Sequence, residues 1–335
     1  MTRRKSDAYQ FPCAVIRGNE RTLLGRNDLL KVVEARQFSL AMGHLTEFGY
    51  GDGSQLASPR DFEKILREEQ KRVSELVFSI LPEKEELQFL CCPADYHNVK
   101  VLLKAEFMGI SAEHLLVDGG SIPPERMVQL IRERNYIFLS QNMKYAVQEA
   151  LDLFARGRDP QEIDITLDKA CYKDMWEGAQ ATENEFLTGY VQLLIDLLNI
   201  TTFIRLRQMG KGWDFFRKVF LEGGTIDEKV FTGNYEEAIP QLAEKLAPYG
   251  FREIVAKGGG LAVETGKYTL LEKLCDDKRI QYLSDAKYIT AGLEPIAAFY
   301  LAKESEIKNL RMVLTGKLSG TPEETMKERL RETYV

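Results

Sequence analysis

The strongest constraint on this chain is a pattern that recurs three times in order. Its fullest copy is Glu306-Ile-Lys-Asn309-Leu-Arg-Met-Val-Leu-Thr-Gly-Lys-Leu-Ser-Gly320. Earlier copies run from Asp95-Tyr-His-Asn98-Val to Gly109 and from Asp196-Leu-Leu-Asn199-Ile to Gly210. Each copy sets an acidic residue three positions before an Asn, a branched aliphatic directly after it, and a Gly eleven positions beyond it. Between Asn and Gly the residues are mostly Val, Leu, Ile, Phe or Met with Lys or Arg interspersed, which suits an amphipathic or largely buried helix. Helical spacing then puts acid and Asn on one face, and the Gly supplies the left-handed residue that closes the helix. The first two copies share a further break, Gly119-Gly120-Ser121-Ile122 and Gly223-Gly224-Thr225-Ile226. After the third, Thr321 reads as an N-cap, Pro322 as the first helical residue and Glu324 as the capping-box partner.

A second landmark precedes each copy: Phe62-Glu63-Lys64, Leu167-Asp168-Lys169 and Leu271-Glu272-Lys273. Its Lys stands 34, 30 and 36 residues before the Asn, so connecting loops vary while the order holds. The Asn-to-Asn periods, 101 and 110 residues, far exceed the roughly 20–50 residues of a solenoid repeat. Each unit is therefore expected to be a small helical domain, with boundaries at 1–120, 121–224 and 225–335.

The chain has 335 residues, 44% hydrophobic and 29% charged, enough for two or three cores of ordinary size. A formal charge of −6 argues against broad binding to nucleic acid or an anionic membrane surface. The basic start, Arg3-Arg4-Lys5, has no apolar segment after it and does not read as a signal peptide. Five cysteines lack zinc-site spacing and are expected to be reduced thiols in a cytosolic protein. Leu187 to Ile204 approaches membrane hydrophobicity, but it carries Gln192, Asp196 and Asn199. It is expected to be a helix buried among others, not a bilayer span.

Helices are expected over about 8–24 with Gly25 as stop, 29–45, 58–79, 141–156, 164–175, 183–209, 236–246 and 293–318, with a Gly-rich loop at 49–54. Thr225 with Glu228 reads as a capping box. Tyr136 to Leu139 has strand propensity but is short and isolated, so no strand-rich region is expected and the fold class is all-α.

Catalytic chemistry leaves little trace. Gly258-Gly259-Gly260 to Lys267-Tyr268 invites a nucleotide-binding reading, but five residues separate Gly260 from Gly266 and Tyr268 replaces the magnesium-binding hydroxyl residue. A helix interrupted by glycines is the plainer expectation. His44, His97 and His114 are the only histidines, and His97 near Cys91-Cys92 lacks zinc spacing. No catalytic, cofactor or metal residues are assigned. The polar constellation with a pattern is the set of pairs Asp95/Asn98, Asp196/Asn199 and Glu306/Asn309. These pairs line a partner-facing opening, or they satisfy each other and nearby backbone inside helix bundles. The second alternative is the more economical use of one pair at the same place in three units.

The run Tyr300-Leu-Ala-Lys-Glu304-Ser-Glu306-Ile-Lys-Asn309-Leu-Arg311, followed by Gly316-Lys317 and Glu328-Arg329-Leu330-Arg331, closely resembles the end of the C subunit of V/A-type ATP synthases. That protein is the counterpart of the d subunit of eukaryotic vacuolar ATPases. Glu20-Arg21-Thr-Leu23-Leu24 and Leu45-Thr46-Glu47-Phe48-Gly49-Tyr50-Gly51 resemble the family's opening helices. The resemblance implies a funnel-shaped, all-helical protein of three related domains with pseudo-threefold symmetry. It implies a non-catalytic rotor part without cofactor, peripheral on the cytoplasmic face of the membrane. There it would join the D and F central-stalk subunits to the membrane proteolipid ring, with no nucleic acid and no direct membrane insertion. The alternative is a stand-alone helical scaffold with a different partner; an enzyme using nucleotide at Gly258 to Lys267 is the weakest reading.

Overall fold

The structure, a computed structural model, describes residues 7–51 and 58–335; Arg3 to Lys5 and the end of the Gly-rich loop lie outside the described residues. Every regular element among them is helical, as the periodicity requires. The chain divides into two compact units, residues 1–82 with 251–335 and residues 83–250.

The first unit contains α1 (Gln10–Asn19), α2 (Arg26–Glu34), α3 (Phe38–Glu47) and α4 (Phe62–Ile80) from the N-terminal part. Its other part follows later in the chain and is organised around one long helix, Leu293–Leu318, of whose 26 residues 17 are buried. A helix with so large a buried share must be surrounded by others. Accordingly α1 to α4 pack on it. Leu29, Val33, Leu45 and Leu66 meet its Ile307, Leu310 and Leu314 in one core.

The second unit holds α5 (Cys92–Met108), α6 (Pro124–Arg132), α7 (Gln141–Gly157), α8 (Pro160–Ala181), α9 (Glu185–Gln208), α10 (Trp213–Val219), α11 (Glu228–Thr232) and α12 (Ile239–Lys245). Ser140 caps α7 by accepting from the Met143 N–H at 3.0 Å, and Asn184 caps α9 by accepting from the Leu187 N–H at 3.1 Å. By length and composition α9 is apolar enough to cross a membrane. Half of its 24 residues are buried inside this unit. Its Phe203 lies against Phe216, Phe231 and Tyr235 with ring centroids 5.1 to 5.4 Å away.

The remaining helices of the first unit are α13 (Gly260–Thr265), α14 (Thr269–Leu283), α15 (Leu293–Leu318, already described) and α16 (Glu323–Arg329). A π-helical turn, Ile254–Gly259, leads directly into α13. The Gly258 to Gly260 run is thus helical and does not form a phosphate loop. A Cβ at Gly258 would meet the Leu271 Cα at 2.7 Å, so this glycine lets the turn lie directly on α14.

Local boundaries differ from expectation where side chains choose other partners. The helix expected over 29–45 is two, α2 and α3, and Gly25 starts α2 instead of ending α1 because its N–H reaches the Asp28 carboxylate at 3.3 Å. Thr225 does not cap; its hydroxyl is bound to Asp196, and Asp227 caps α11 by accepting from the Lys229 N–H. Pro322, not Thr321, precedes the first residue of α16; the Thr321 hydroxyl is paired with the Ser319 hydroxyl, and its N–H closes the preceding helix on the Gly316 carbonyl.

Candidate functional site

The three repeated helices are α5, α9 and α15, and they end alike. Gly109, Gly210 and Gly320 are left-handed, with φ of 65°, 67° and 69°. Each glycine N–H bonds back to the carbonyl three residues earlier, and the next N–H reaches five back: Ile110 to Ala105, Lys211 to Leu206, Thr321 to Gly316. This double closure satisfies carbonyls that a helix end otherwise leaves open.

The Asn residues act identically as well. Asn98 donates from Nδ2 to the Val117 carbonyl and accepts the Val117 N–H, both at 2.9 Å. Asn199 holds Leu221 in the same way at 2.8 and 2.9 Å. Asn309 holds Arg331 at 3.4 and 3.0 Å. The held residues are non-helical, so the side-chain amide supplies the donor and acceptor that a helix or strand would have given them.

The acids take the chain a few residues further on. Asp95 accepts the Ser121 N–H (2.9 Å), the Ser121 hydroxyl (2.7 Å) and the Ile122 N–H (3.1 Å). Asp196 accepts the Thr225 N–H and hydroxyl and the Ile226 N–H. The repeated Gly-Gly break serves this geometry. Gly119 and Gly223 have φ of 95° and 101°, and a Cβ on Gly120 or Gly224 would collide with the carboxylate of Asp95 or Asp196. Burial pushes both carboxyls above the usual range, and the Ser121/Ile122 and Thr225/Ile226 donors work against that rise.

Glu306 departs from this scheme in its partners and keeps it in position. It accepts the N–H of Leu24 at 2.5 Å, two residues before α2 begins, as Ile122 stands two before α6 and Ile226 two before α11. Among the described residues no Ser or Thr hydroxyl is bonded to it. Its other partners are the Tyr50 hydroxyl at 2.5 Å and the Lys303 ammonium at 2.7 Å. Lys303 also reaches Glu69 at 3.4 Å, and Arg72 holds Glu69 through two bonds of 2.7 and 2.8 Å. Lys303, Glu306 and Glu69 are buried, and Arg72, whose side chain is half exposed, brings the second cation that balances the two carboxylates. Burial, then Glu306, push the Tyr50 hydroxyl well above its ordinary pKa.

All six residues singled out from the sequence are thus buried, at 5% exposure or less, and each is bonded within its own unit. The sequence reading missed Leu24, Tyr50, Lys303 and Glu69, whose part in the third node has no counterpart in the other two copies. It also missed a charge pairing two residues beyond the Asn: Lys100 bonds Asp168 at 2.6 Å and Arg311 bonds Glu63 at 3.0 Å. A basic residue at that position in two copies and an acid in each second landmark were the available signal. Two open clefts of about 660 and 520 Å³ lie in the second unit and share Phe220, Glu222 and Gly223; Trp213 lines the larger and Trp176 the smaller. No group of His, Cys, Asp and Glu suited to a metal ion is found among the described residues.

An all-helical chain built on one thrice-used polar node is a helical repeat protein. Residues 12–329 match the family described as ATP synthase (C/AC39) subunit, and the chain belongs to that family. It is similar to the C subunit of the V-type sodium ATPase of Enterococcus hirae, with 25% identity covering 96% of this chain and 97% of that one. The C subunit of the A-type ATP synthase of Methanocaldococcus jannaschii is 24% identical over 96% of this chain and 86% of its own length. That of Pyrococcus abyssi is 23% identical over 98% and 91%. The chain is accordingly a structural, non-catalytic subunit of a rotary ATPase, a membrane-associated complex in which it stands with other ATPase subunits.

Proposed function

We propose that this protein is the adaptor of the rotor, holding the D–F shaft on one side, seated on the membrane proteolipid ring on the other, and passing torque between them for ATP-linked proton or sodium transport. In this reading it sits peripherally on the cytoplasmic face of the membrane and is not inserted in it. The observation that carries the reading is the family match along nearly the whole chain. Long buried helices, each locked at its end and clamped to the following segment, supply the stiffness that a torque-bearing part needs. The proposed domains, 1–120, 121–224 and 225–335, meet at Gly120/Ser121 and Gly224/Thr225, inside the loops that Asp95 and Asp196 hold. A pseudo-threefold, funnel-like arrangement belongs to the same proposal. We further infer that the six repeated Asp, Glu and Asn residues serve the fold and do not meet the partner.

The test is size-exclusion chromatography with light scattering of the purified chain, alone and mixed with the D–F heterodimer of the same organism. A stable one-to-one-to-one complex is expected. A chain that stays separate from the shaft would overturn the shaft-holding half of the proposal and favour a scaffold with another partner.

A further inference from the structure

The three nodes perform one operation, fastening a repeated helix to the entry of the next repeat. Asp95 of the first copy holds Ser121 and Ile122, and Asp196 of the second holds Thr225 and Ile226. Glu306 of the third holds Leu24, which stands two residues before α2 of the first repeat as Ile122 and Ile226 stand before α6 and α11. The charge pairs follow the same order: Lys100 of the first copy with Asp168 of the second landmark, Arg311 of the third copy with Glu63 of the first. Two of these fastenings span short stretches of chain, 26 and 29 residues from acid to bound amide, whereas the third spans 282. Loop-closure entropy grows as three halves of the logarithm of loop length, so in an otherwise unstructured chain the long closure is disfavoured roughly thirtyfold against the 29-residue one, a cost that the lock shares with the packing of α1 to α4 on α15. The third node is also where the acid gains a cation and a phenol.

We infer that Lys303, Tyr50 and Glu306 form a lock that holds the entry segment of the first repeat onto α15, offsetting by charge what the other two junctions obtain from a short tether. Lys303 is 1% exposed and lies 5.2 Å from the Tyr50 ring centroid, so it has no solvent to replace Glu306. Glu69 and Arg72, both on α4, complete the neutral group and bring that helix into the lock. Asp95 and Asp196 each receive two N–H groups and a hydroxyl without a cation, whereas Glu306 receives one N–H and the Tyr50 hydroxyl, and Lys303 stands in the place of the second N–H. The inference stands on bonds within the chain and does not depend on the shaft reading.

Hydrogen exchange with residue-level resolution tests it on the full chain, because Leu24, Ile122 and Ile226 are equivalent amides in one molecule. In Lys303→Met the Leu24 amide is expected to exchange roughly ten- to a hundredfold faster, the factor that corresponds to one lost hydrogen bond to a charged group. Ile122 and Ile226 should keep their wild-type rates. Tyr50→Phe leaves the charge pair in place and should give a smaller acceleration confined to the same segment. It carries the test alone if Lys303→Met does not fold. An unchanged Leu24 rate in the folded variant, or equal acceleration at all three amides, would overturn the lock.

Discussion

Replacing Asn199 by Leu isolates the value of one node. The substitution keeps the branching and heavy-atom count of the side chain, though its methyl groups are bulkier, and removes both bonds to Leu221, whose own exposure is only 9%. Water therefore cannot replace the lost partners. A buried N–H and a buried carbonyl left open cost about 1–3 kcal/mol each, and the extra apolar burial returns about 1 kcal/mol, so the net loss should be about 3 kcal/mol. Asn98→Leu removes an equivalent pair of bonds, but Val117 is 36% exposed and solvent can reach it. Its loss should be about 1 kcal/mol on the same reasoning. Both sites lie in the second unit, as do the chain's two tryptophans, Trp176 and Trp213. Urea unfolding followed by tryptophan fluorescence therefore reports on the unit concerned. Far-UV circular dichroism alongside it shows whether the two units unfold together, which a 335-residue chain need not do. The argument fails if Asn199→Leu costs no more than Asn98→Leu at unchanged denaturant slope. Unchanged stability together with loss of the shaft complex would move the Asn to the partner surface.

Gly224→Ala drives a methyl group into the Asp196 carboxylate and should cost about 2–3 kcal/mol in thermal or urea unfolding. Gly18→Ala, with nothing within 4 Å of the new Cβ, should be neutral or slightly stabilising. Asp276 offers a pH test. Its burial would raise the carboxyl, but Lys308, Arg331 and Arg279 outweigh that and hold it below the ordinary value of 3.8. A carboxyl depressed on folding contributes stability that is complete above its unfolded pKa and is lost as pH falls through the folded one. Asp276→Asn should therefore cost about 2 kcal/mol at neutral pH, allowing for the partly exposed Lys308. The gap to wild type should close below pH of about 4, and a gap independent of pH would refute the assignment.

What could be read from the sequence was what one helix can express by itself. The spacing of apolar residues and the terminal glycine are local, so α15 appears in the structure over the residues expected from its pattern, Leu293–Leu318. The acid and Asn could be placed on one face for the same reason. Their partners could not be found that way, because the distance from Asn to held residue varies from 19 to 22 and the held residues share no type: Val117, Leu221 and Arg331. An Asn that grips backbone leaves no signature in the residue it grips. The Gly-Gly break was visible as punctuation, while its reason, room for a carboxylate, required the carboxylate to be in view. The third node was hidden most deeply, since Leu24 stands 282 residues from Glu306, has no Gly-Gly break before it, and is preceded by Leu23 where the other copies have Ser121 or Thr225. The break absent before Leu24 and the Lys303–Glu69 pair present beside Glu306 are then two sides of one difference. Where a short tether and a neighbouring Ser or Thr hold the acid, glycines make room for them; where the tether is long, a buried cation and a distant phenol hold it instead.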